Sequence, residues 1–238
     1  MKMHQTIAIV GAGRMGCAMT AALGAAGVRA SGPHGRGFDG VGTDAILLCV
    51  PDGQIAVAAA AIAPGPLVGH CSGATGLAAL APHEAFGLHP LMTITRRGGA
   101  LGGAGAAVGG STDRALAFAT DLATTLGMRP FEIADGDRAA YHAGAAMAAN
   151  FLVALESAAQ RMAGVDRELL APLIRAAVET WVAEGDAALT GAIARGDEAT
   201  IARHRQAIAE RAPELLAMYD ALAERAEAVA SQRAGERS

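Results

Sequence analysis

The sequence has few aromatic residues, few cysteines and no large excess of either charge. Aromatic residues make up 3% of the 238 residues and hydrophobic residues 52%, so the core must be built mainly from Ala, Leu, Val and Ile. The three cysteines are far apart and form no CxxC pair. This spacing argues against a zinc site or a disulfide framework and suits a reducing compartment. We expect no catalytic metal.

Charge and hydropathy also limit the partners that this chain can have. The net charge is −4, and the basic residues form no long stripe, so nucleic acid and anionic membrane surfaces are not indicated. No uninterrupted apolar run reaches the length of a membrane span. We therefore expect a cytoplasmic protein that acts on a small molecule.

Short apolar runs alternate with Ala-rich stretches in the first half, which is typical of βαβ units. After about residue 135 the pattern is helical only. The sequence therefore predicts an α/β protein: a Rossmann-type parallel sheet domain over residues 1–134, followed by a smaller all-α domain over 135–238. The predicted strands are TIAIV (6–10), GVRAS (27–31), AILLCV (45–50), PLVGHC (66–71), FGLHP (86–90), GAAVGG (105–110) and PFEIA (130–134).

The first predicted helix of the second half begins near Arg138 and contains YHAGAAMAAN, residues 141–150. On a regular α-helix His142 and Asn150 would be about 12 Å apart along the axis and about 80° apart around it, with Ala146 between them. Pro172 is expected in the first turn of the following helix, where proline is tolerated. The step from residue 212 to residue 213, Ala-Pro, is expected to break the last helical segment.

The motif GAGRMG follows the first predicted strand directly and precedes a predicted helix. In this setting GxGxxG predicts a dinucleotide site: Gly11 permits the turn, Gly13 admits a pyrophosphate, and Gly16 lets the helix pack closely on the sheet. The alternative is a turn with a structural role only. The predicted cofactor contacts in this loop are Gly11, Ala12, Gly13, Arg14, Met15 and Gly16.

The segment after the second predicted strand, ASGPHGRG, contains no acidic residue before Asp39. An acid there would bind the ribose hydroxyls of NAD(H), whereas Ser31, His34 and Arg36 are donors that could hold a 2′-phosphate. NADP(H) is therefore favoured over NAD(H), and the alternative is a solvated glycine-rich loop. At the exits of the next two strands the predicted cofactor contacts are Val50, Pro51, Asp52 and Ser72.

Several histidines occur where predicted strands end, namely His70 in GHCSG and His89 in GLHPL, and His142 begins the helical half. A reduction by a nicotinamide needs a proton donor that titrates near neutrality, and histidine is the obvious candidate. Each could equally be a packed, hydrogen-bonded residue. Ser72 lacks the GxSxG spacing of a nucleophile elbow and is predicted to contact cofactor or substrate.

The polar connection LTGAIARGD (189–197) lies between two helical stretches. Arg195 could bind a substrate carboxylate with two of its guanidinium N–H groups, and Thr190 could add a hydroxyl. The alternative is a solvated loop capped by Asp197. The predicted substrate contacts are thus Ser72, His89, Thr190 and Arg195.

Six segments together resemble a known set of bacterial proteins with a Rossmann-like, NADP-oxidoreductase-type domain and a helical C-terminal domain of unknown function. They are GAGRMG, LLCVPDGQI, HCSGATGL, GLHPLMT, YHAGAAMAANFLVAL and LTGAIARGDEAT. The architecture is similar to pyrroline-5-carboxylate reductase, ketopantoate reductase and the 3-hydroxyisobutyrate and 6-phosphogluconate dehydrogenases. The resemblance implies NADP(H), a small oxo-acid or imine substrate, and a homodimer joined through the helical part.

One departure from those relatives affects the chemistry. The hydroxyacid dehydrogenases carry a Lys and an Asn one helical turn apart, and if Asn150 is that Asn, Ala146 occupies the Lys position. His142 or His89 would then supply the proton, and Asn150 would hold the substrate oxygen or the carboxamide. The sequence predicts an NADP(H)-dependent reductase of a small carboxylate-bearing ketone or imine, with a 2-oxo acid such as ketopantoate as the most concrete substrate. The alternatives are a deazaflavin-dependent reductase and a nucleotide-binding sensor without turnover.

Overall fold

The computed structural model describes residues 5–95 and 99–236. Over these residues a seven-stranded sheet has the order β2-β1-β3-β4-β5-β6-β7. The centre of the sheet is buried on both faces, since Ile7 and Ile9 of β1 belong to one hydrophobic cluster and Ala8 and Val10 to another. The strands are β1 Ile7–Val10, β2 Ala30–His34, β3 Ala45–Leu48, β4 Leu67–His70, β5 Ala85–Leu91, β6 Gly105–Gly110 and β7 Arg129–Glu132.

The order and direction of the strands confirm the predicted Rossmann-type fold, with one correction. All neighbouring pairs are parallel except β5 and β6, which are antiparallel. A parallel pair needs a crossover connection, usually a helix, and the described residues between Leu91 and Gly105 contain none. The expectation of a wholly parallel sheet was therefore wrong at this pair.

The second strand also differs from its prediction, because β2 covers Ala30–His34 rather than residues 27–31. It lies at the edge of the sheet and pairs only with β1 among the described strands. Pro33 is compatible with that position, since an edge strand has one side without a ladder partner.

Helices cover both faces of the sheet and make up most of the described residues after β7. The first long one, α1, begins directly after the glycine loop, and α3 is capped by the Thr112 side chain, which accepts a hydrogen bond from the Ala115 N–H at 3.1 Å. The helices are α1 Arg14–Ala25, α2 Ile55–Ala60, α3 Asp113–Thr125, α4 Arg138–Ala146, α5 Leu152–Ala163, α6 Arg167–Glu184, α7 Gly191–Ala194, α8 Glu198–Arg211 and α9 Leu216–Glu236.

The predicted continuous helix around residues 141–150 is not regular. A π-helical turn, Met147–Phe151, separates α4 from α5. Because a π turn rotates fewer degrees per residue than an α turn, the predicted angle between His142 and Asn150 was wrong. The expectation for Pro172 was also wrong: α6 begins at Arg167, so the proline lies inside the helix. The break after Ala212 is confirmed.

The chain divides into two compact units, Met1–Ala149 and Asn150–Ser238. The first contains the whole sheet and α1 to α4, and the second contains α5 to α9. The domain boundary predicted after residue 134 falls between β7 and α4, and it stays a prediction. No helix within the described ranges is both long and apolar enough to cross a membrane.

Candidate active site

The glycine loop between β1 and α1 is built so that each glycine has a different role. Gly11 has φ +109°, and a Cβ there would lie 2.4 Å from the Cys49 carbonyl oxygen. A Cβ on Gly16 would lie 1.8 Å from the Gly11 carbonyl oxygen, so α1 packs directly on the loop. A Cβ on Gly13, by contrast, would have no atom within 4 Å. The loop therefore exposes backbone at Gly13 and is closed at the other two positions.

The amino end of α1 presents free backbone donors. Gly13 is the N-cap residue and provides no side-chain cap, and no acidic residue lies in the first turn. Helix N-termini with unsatisfied N–H groups attract phosphate, and the helix dipole adds to this preference. The open backbone at Gly13 and the amides at the start of α1 therefore fit a dinucleotide pyrophosphate.

A cleft of about 520 Å³ lies beside this loop, between the exits of β1 and β3 and the segment after β2. It brings together predicted residues from three separate segments. Ser31 is not in its wall, but its Oγ lies 2.9 Å from His34 Nε2, and the His34 ring stacks on Phe38 at 3.9 Å. The predicted cofactor residues that line the cleft are Gly11, Ala12, His34, Arg36, Val50 and Pro51.

Ser72, after β4, forms the centre of a small hydrogen-bonded loop. Its Oγ donates to Asp52 Oδ2 at 2.9 Å and accepts from the N–H groups of Ala74 at 3.2 Å and Thr75 at 2.9 Å. The residue is buried, whereas Asp52 is exposed. The hydroxyl therefore joins the loops that follow β3 and β4, and its predicted contact with a ligand stays a prediction.

His70 is the last residue of β4 and is fully buried. Its Nδ1 accepts a hydrogen bond from the Ser72 N–H at 3.2 Å, which places the ring proton on Nε2. Burial and then the nearby charge of Arg138 lower the pKa of His70, although the Gly76 backbone and Asp52 act in the opposite direction. His70 is therefore a neutral ring held in one orientation.

His89 on β5 lies against two residues of α4. Its Nδ1 is 2.7 Å from the Tyr141 hydroxyl, and its ring packs edge-on to the His142 ring with the centroids 5.9 Å apart. Burial, followed by the neighbouring His142 and Arg138, lowers the pKa of His89 to about 4. Burial raises the pKa of Tyr141. At neutral pH this is a neutral imidazole beside a protonated phenol.

Gly73 makes the approach of these rings possible. A Cβ at Gly73 would lie 2.7 Å from His142 Cδ2 and 3.0 Å from His89 Nε2. Tight contact with two side chains from different elements explains why the HCSG segment has glycine here. The exit of β4, the exit of β5 and the first turns of α4 thus meet at one point.

Arg138, the first residue of α4, is buried below this cluster, with 1% of its surface exposed. Its Nε donates to Asp135 Oδ1 at 2.7 Å, and Asp135 Oδ2 accepts the Leu77 N–H at 2.9 Å. Burial acts to raise the pKa of Asp135, but the hydrogen bonds from Arg138 and Leu77, with the charge of Arg138, together lower it. The bond network ties the start of α4 to the segment after β4.

The structure brings together the predicted residues of the first unit, in two groups. One group is the glycine loop with the cleft, and the other is the strand-end cluster of His70, Ser72 and His89 with His142. Asn150, Thr190 and Arg195 belong to the second unit and are exposed.

Sequence reasoning missed Arg138 and Tyr141. Their spacing with His142 was the available signal, because residues i, i+3 and i+4 share one face of a helix.

The mostly parallel sheet with a glycine loop, followed by a helical second unit, defines a Rossmann-type α/β protein with an all-α extension. The chain belongs to a family whose model is described as a domain of unknown function, DUF2520, and which matches residues 105–226. None of the curated proteins that were compared with the sequence matches it.

Solved structures of similar fold align with almost the whole chain. A Bacteroides fragilis protein described as a candidate NADP oxidoreductase is 18% identical, with a TM-score of 0.78 over 94% of this chain and 98% of that one. A Thermotoga maritima protein is 20% identical, with a TM-score of 0.74 over 95% and 99%. A reductive aminase from Aspergillus terreus, in complex with NADPH and ethyl-5-oxohexanoate, is 18% identical, with a TM-score of 0.66 over 96% and 98%. At these identities the likeness shows the fold.

Proposed function

We propose that this protein is an NADP(H)-dependent oxidoreductase that reduces a small ketone or imine carrying a carboxylate. The observation that carries the proposal is the open glycine loop, whose free α1 amides adjoin a cleft on the same sheet edge as the His70 and His89 cluster. In Rossmann-type sheets ligands bind at the carboxyl ends of the strands. The NADPH bound to the structurally similar reductive aminase supports the choice of coenzyme.

The cofactor half of the proposal assigns the pyrophosphate to the Gly13 backbone and the amino end of α1. Arg36 and His34, in the cleft wall, would hold the 2′-phosphate that distinguishes NADP(H) from NAD(H). Arg36 is exposed and can reach a phosphate from the rim of the cleft. Arginine suits this task because its planar guanidinium can donate two hydrogen bonds to one phosphate. The bound NADPH would supply the hydride.

The chemistry of the substrate half is assigned to His89 and His142. With a pKa of about 4, only about one His89 ring in a thousand carries an extra proton at pH 7, so we assign it the role of a neutral hydrogen-bond donor. If Tyr141 donates to Nδ1, the His89 Nε2–H is free to hold a carbonyl oxygen or an imine nitrogen. We assign the proton transfer to His142, which is exposed beside it.

The second unit contributes three residues to the proposal. Asn150 would hold the substrate oxygen or the carboxamide, and Arg195 with Thr190 would bind the carboxylate. Nothing in these residues selects ketopantoate among the 2-oxo acids, so ketopantoate serves as one compound in a test panel.

We also propose a homodimer joined through the helical unit. Helix α6 has 18 residues, and none of them is buried. Its apolar side chains include Leu169, Leu173, Trp181 and Val182, which are exposed by 71%, 69%, 60% and 72%. Large apolar side chains exposed along a helix of this length are typical of an interface between subunits. A Leu173→Glu, Val182→Glu variant should halve the mass measured by light scattering, and an unchanged mass would exclude α6 from the interface.

The test of the coenzyme is a fluorescence titration with NADPH and with NADH. We expect NADPH to bind more tightly, and Arg36→Ala to weaken NADPH at least tenfold while leaving NADH nearly unchanged. Arg29→Ala is the matched control, because Arg29 is exposed but lies outside the cleft wall. Failure of both nucleotides to bind would refute the proposal. Turnover is then followed by NADPH oxidation with a panel of 2-oxo acids and cyclic imines.

A nucleotide-binding sensor without turnover is the second candidate. It is favoured by the low pKa of His89, which leaves this ring almost always without an extra proton to give at pH 7, and by Ala146 at the position where the resembling dehydrogenases carry lysine. His142→Ala discriminates the two. A catalytic acid should lose turnover by a factor on the order of 100 with little loss of NADPH affinity. NADPH binding with no oxidation by any compound of the panel would favour the sensor.

A further inference from the structure

The guanidinium of Arg138 lies in a slot made by two glycines on neighbouring strands. Arg138 Nη2 is 2.9 Å from the point that a Cβ on Gly87 would occupy and 3.0 Å from the corresponding point on Gly109. Gly87 on β5 and Gly109 on β6 are register partners. Any side chain at either position would displace the guanidinium, so the two glycines have a specific role in admitting this charge to the sheet surface.

The same face of the sheet carries both strand-end histidines. His70 is the register partner of Gly87 on the adjacent strand, and partners in a ladder point their side chains to one face. His89 follows Gly87 by two residues on β5 and therefore shares that face. With strands about 4.8 Å apart and a rise of about 3.3 Å per residue, the guanidinium above Gly87 is close to both rings.

The charge of Arg138 is only partly neutralised. Among residues 5–95 and 99–236, Asp135 is the carboxylate paired with it, and the Asp135 side chain is 48% exposed and therefore screened by water. Nη1 and Nη2 are buried and have no hydrogen-bond partner in the part of the chain that the structure describes. A buried guanidinium with a single solvated counter-charge acts on its neighbours more strongly than a surface arginine does.

The effect on the histidines agrees with this geometry. The pKa of His70 is lowered first by burial and next by Arg138, and that of His89 by burial, His142 and then Arg138. Asp52 opposes both shifts, and His70 adds to the shift of His89.

We propose that Arg138 is a positioning residue of this site, whose slot-bound charge repels a second positive charge at His70 and at His89. Each ring then keeps one N–H donor and one acceptor, which orients the hydrogen bond that His70 accepts from the Ser72 N–H and the one between His89 and the Tyr141 hydroxyl. The proposal rests on the proposed function only in assigning His89 to the reaction site. Arg138 does not contact the ligand in this proposal; its charge keeps a second proton off the rings of His70 and His89.

The test is an NMR titration of the histidine ring carbons in wild-type protein, Arg138→Gln and Arg138→Lys. In Arg138→Gln we expect the pKa of His89 to rise by on the order of 1 from its value of about 4, because a unit charge a few ångströms away is lost. Arg138→Lys is the matched control, since it keeps the charge and should keep the low value. The ring-carbon signals of His204, which lies in the second unit, serve as a control that the rest of the fold is unchanged.

A folded Arg138→Gln protein in which His89 titrates as in the wild type would overturn the proposal. If that variant does not fold, Asp135→Asn gives a second test at an exposed residue. Removal of the counter-charge should move the His89 titration to still lower pH, and an unchanged titration would also overturn the proposal. The measurement needs no cofactor and no turnover, so it can succeed or fail independently of the proposed reductase activity.

Discussion

Substitution of two loop glycines, Gly13 and Gly16, by alanine should separate the stability of the glycine loop from its affinity for a cofactor. Gly13→Ala introduces a methyl group into open space at φ −76°, a conformation that alanine adopts freely. We expect the free energy of unfolding to stay the same or to rise by up to about 1 kcal/mol, because alanine restricts the unfolded chain. The same methyl group would fill the space through which a pyrophosphate approaches the backbone. NADPH affinity should therefore fall at least tenfold, or by about 1.4 kcal/mol.

Gly16→Ala should have the opposite signature. Its Cβ would lie 1.8 Å from the Gly11 carbonyl oxygen, and this atom belongs to the backbone and cannot rotate away. Helix α1 must then move by more than 1 Å relative to β1, and overpacking of this kind costs about 1 to 3 kcal/mol or more. Thermal unfolding should occur several degrees lower, whether or not nucleotide is present.

Gly24→Ala is the matched control on the same helix, since a Cβ there also has no atom within 4 Å. It should leave NADPH affinity unchanged, as measured by the same fluorescence titration. The reasoning would be refuted if Gly13→Ala bound NADPH as tightly as Gly24→Ala does. That result would mean that no phosphate group approaches the Gly13 backbone.

Three further predictions concern stability and accessibility. Folding depresses the pKa of His89 from 6.5 to about 4, so the unfolded chain binds the proton more readily. Stability should be greatest above pH 6.5 and should fall by on the order of 3 kcal/mol by pH 4, measured by urea unfolding; His89→Asn should reduce this loss. A thiol reagent should modify the exposed Cys17 rapidly in native protein and the buried Cys49 and Cys71 only after unfolding. Three fast thiols would contradict the packing of β3 and β4. Thr112→Ala should cost about 1 kcal/mol through loss of the α3 cap, and an unchanged unfolding midpoint would contradict that role.

The predictable parts of the fold are those that depend on local pattern. The strand TIAIV, the motif GAGRMG and the following helix carry their signals within 20 residues, and β1 and α1 lie where they were predicted. The direction of β6 depends instead on its pairing with β5, and strand periodicity contains no information about direction. The π turn at 147–151 was missed because an Ala-rich helical pattern does not distinguish an i→i+4 bond from an i→i+5 bond.

Residues of the candidate site that lie near strand ends were predicted. Residues whose place in the site depends on tertiary burial were missed. His89 was predicted because it follows an apolar run that ends in a loop. Arg138 looked like an ordinary charged residue at the start of a helix, since its burial requires Gly87 and Gly109 to lie side by side. Only the sheet pairing brings those two glycines together. For the same reason, the sequence could not predict that the charge of Arg138 is only partly neutralised.

The residues of α4 that could take over the role of the missing lysine differ from those that the sequence first indicates. Between His142 and Asn150 the helical register changes at the π turn, so the two ends of YHAGAAMAAN do not form one regular face. The polar groups of α4 that contact the sheet are instead Arg138, Tyr141 and His142, which are spaced i, i+3 and i+4. Together they hold a charge, a phenol and an imidazole against the exits of β4 and β5. If this chain reduces a carbonyl or imine without a lysine, we expect the proton to come from this face of α4. Replacement of both Tyr141 and His142 should then abolish turnover, and adding Ala146→Lys to that variant should not restore it.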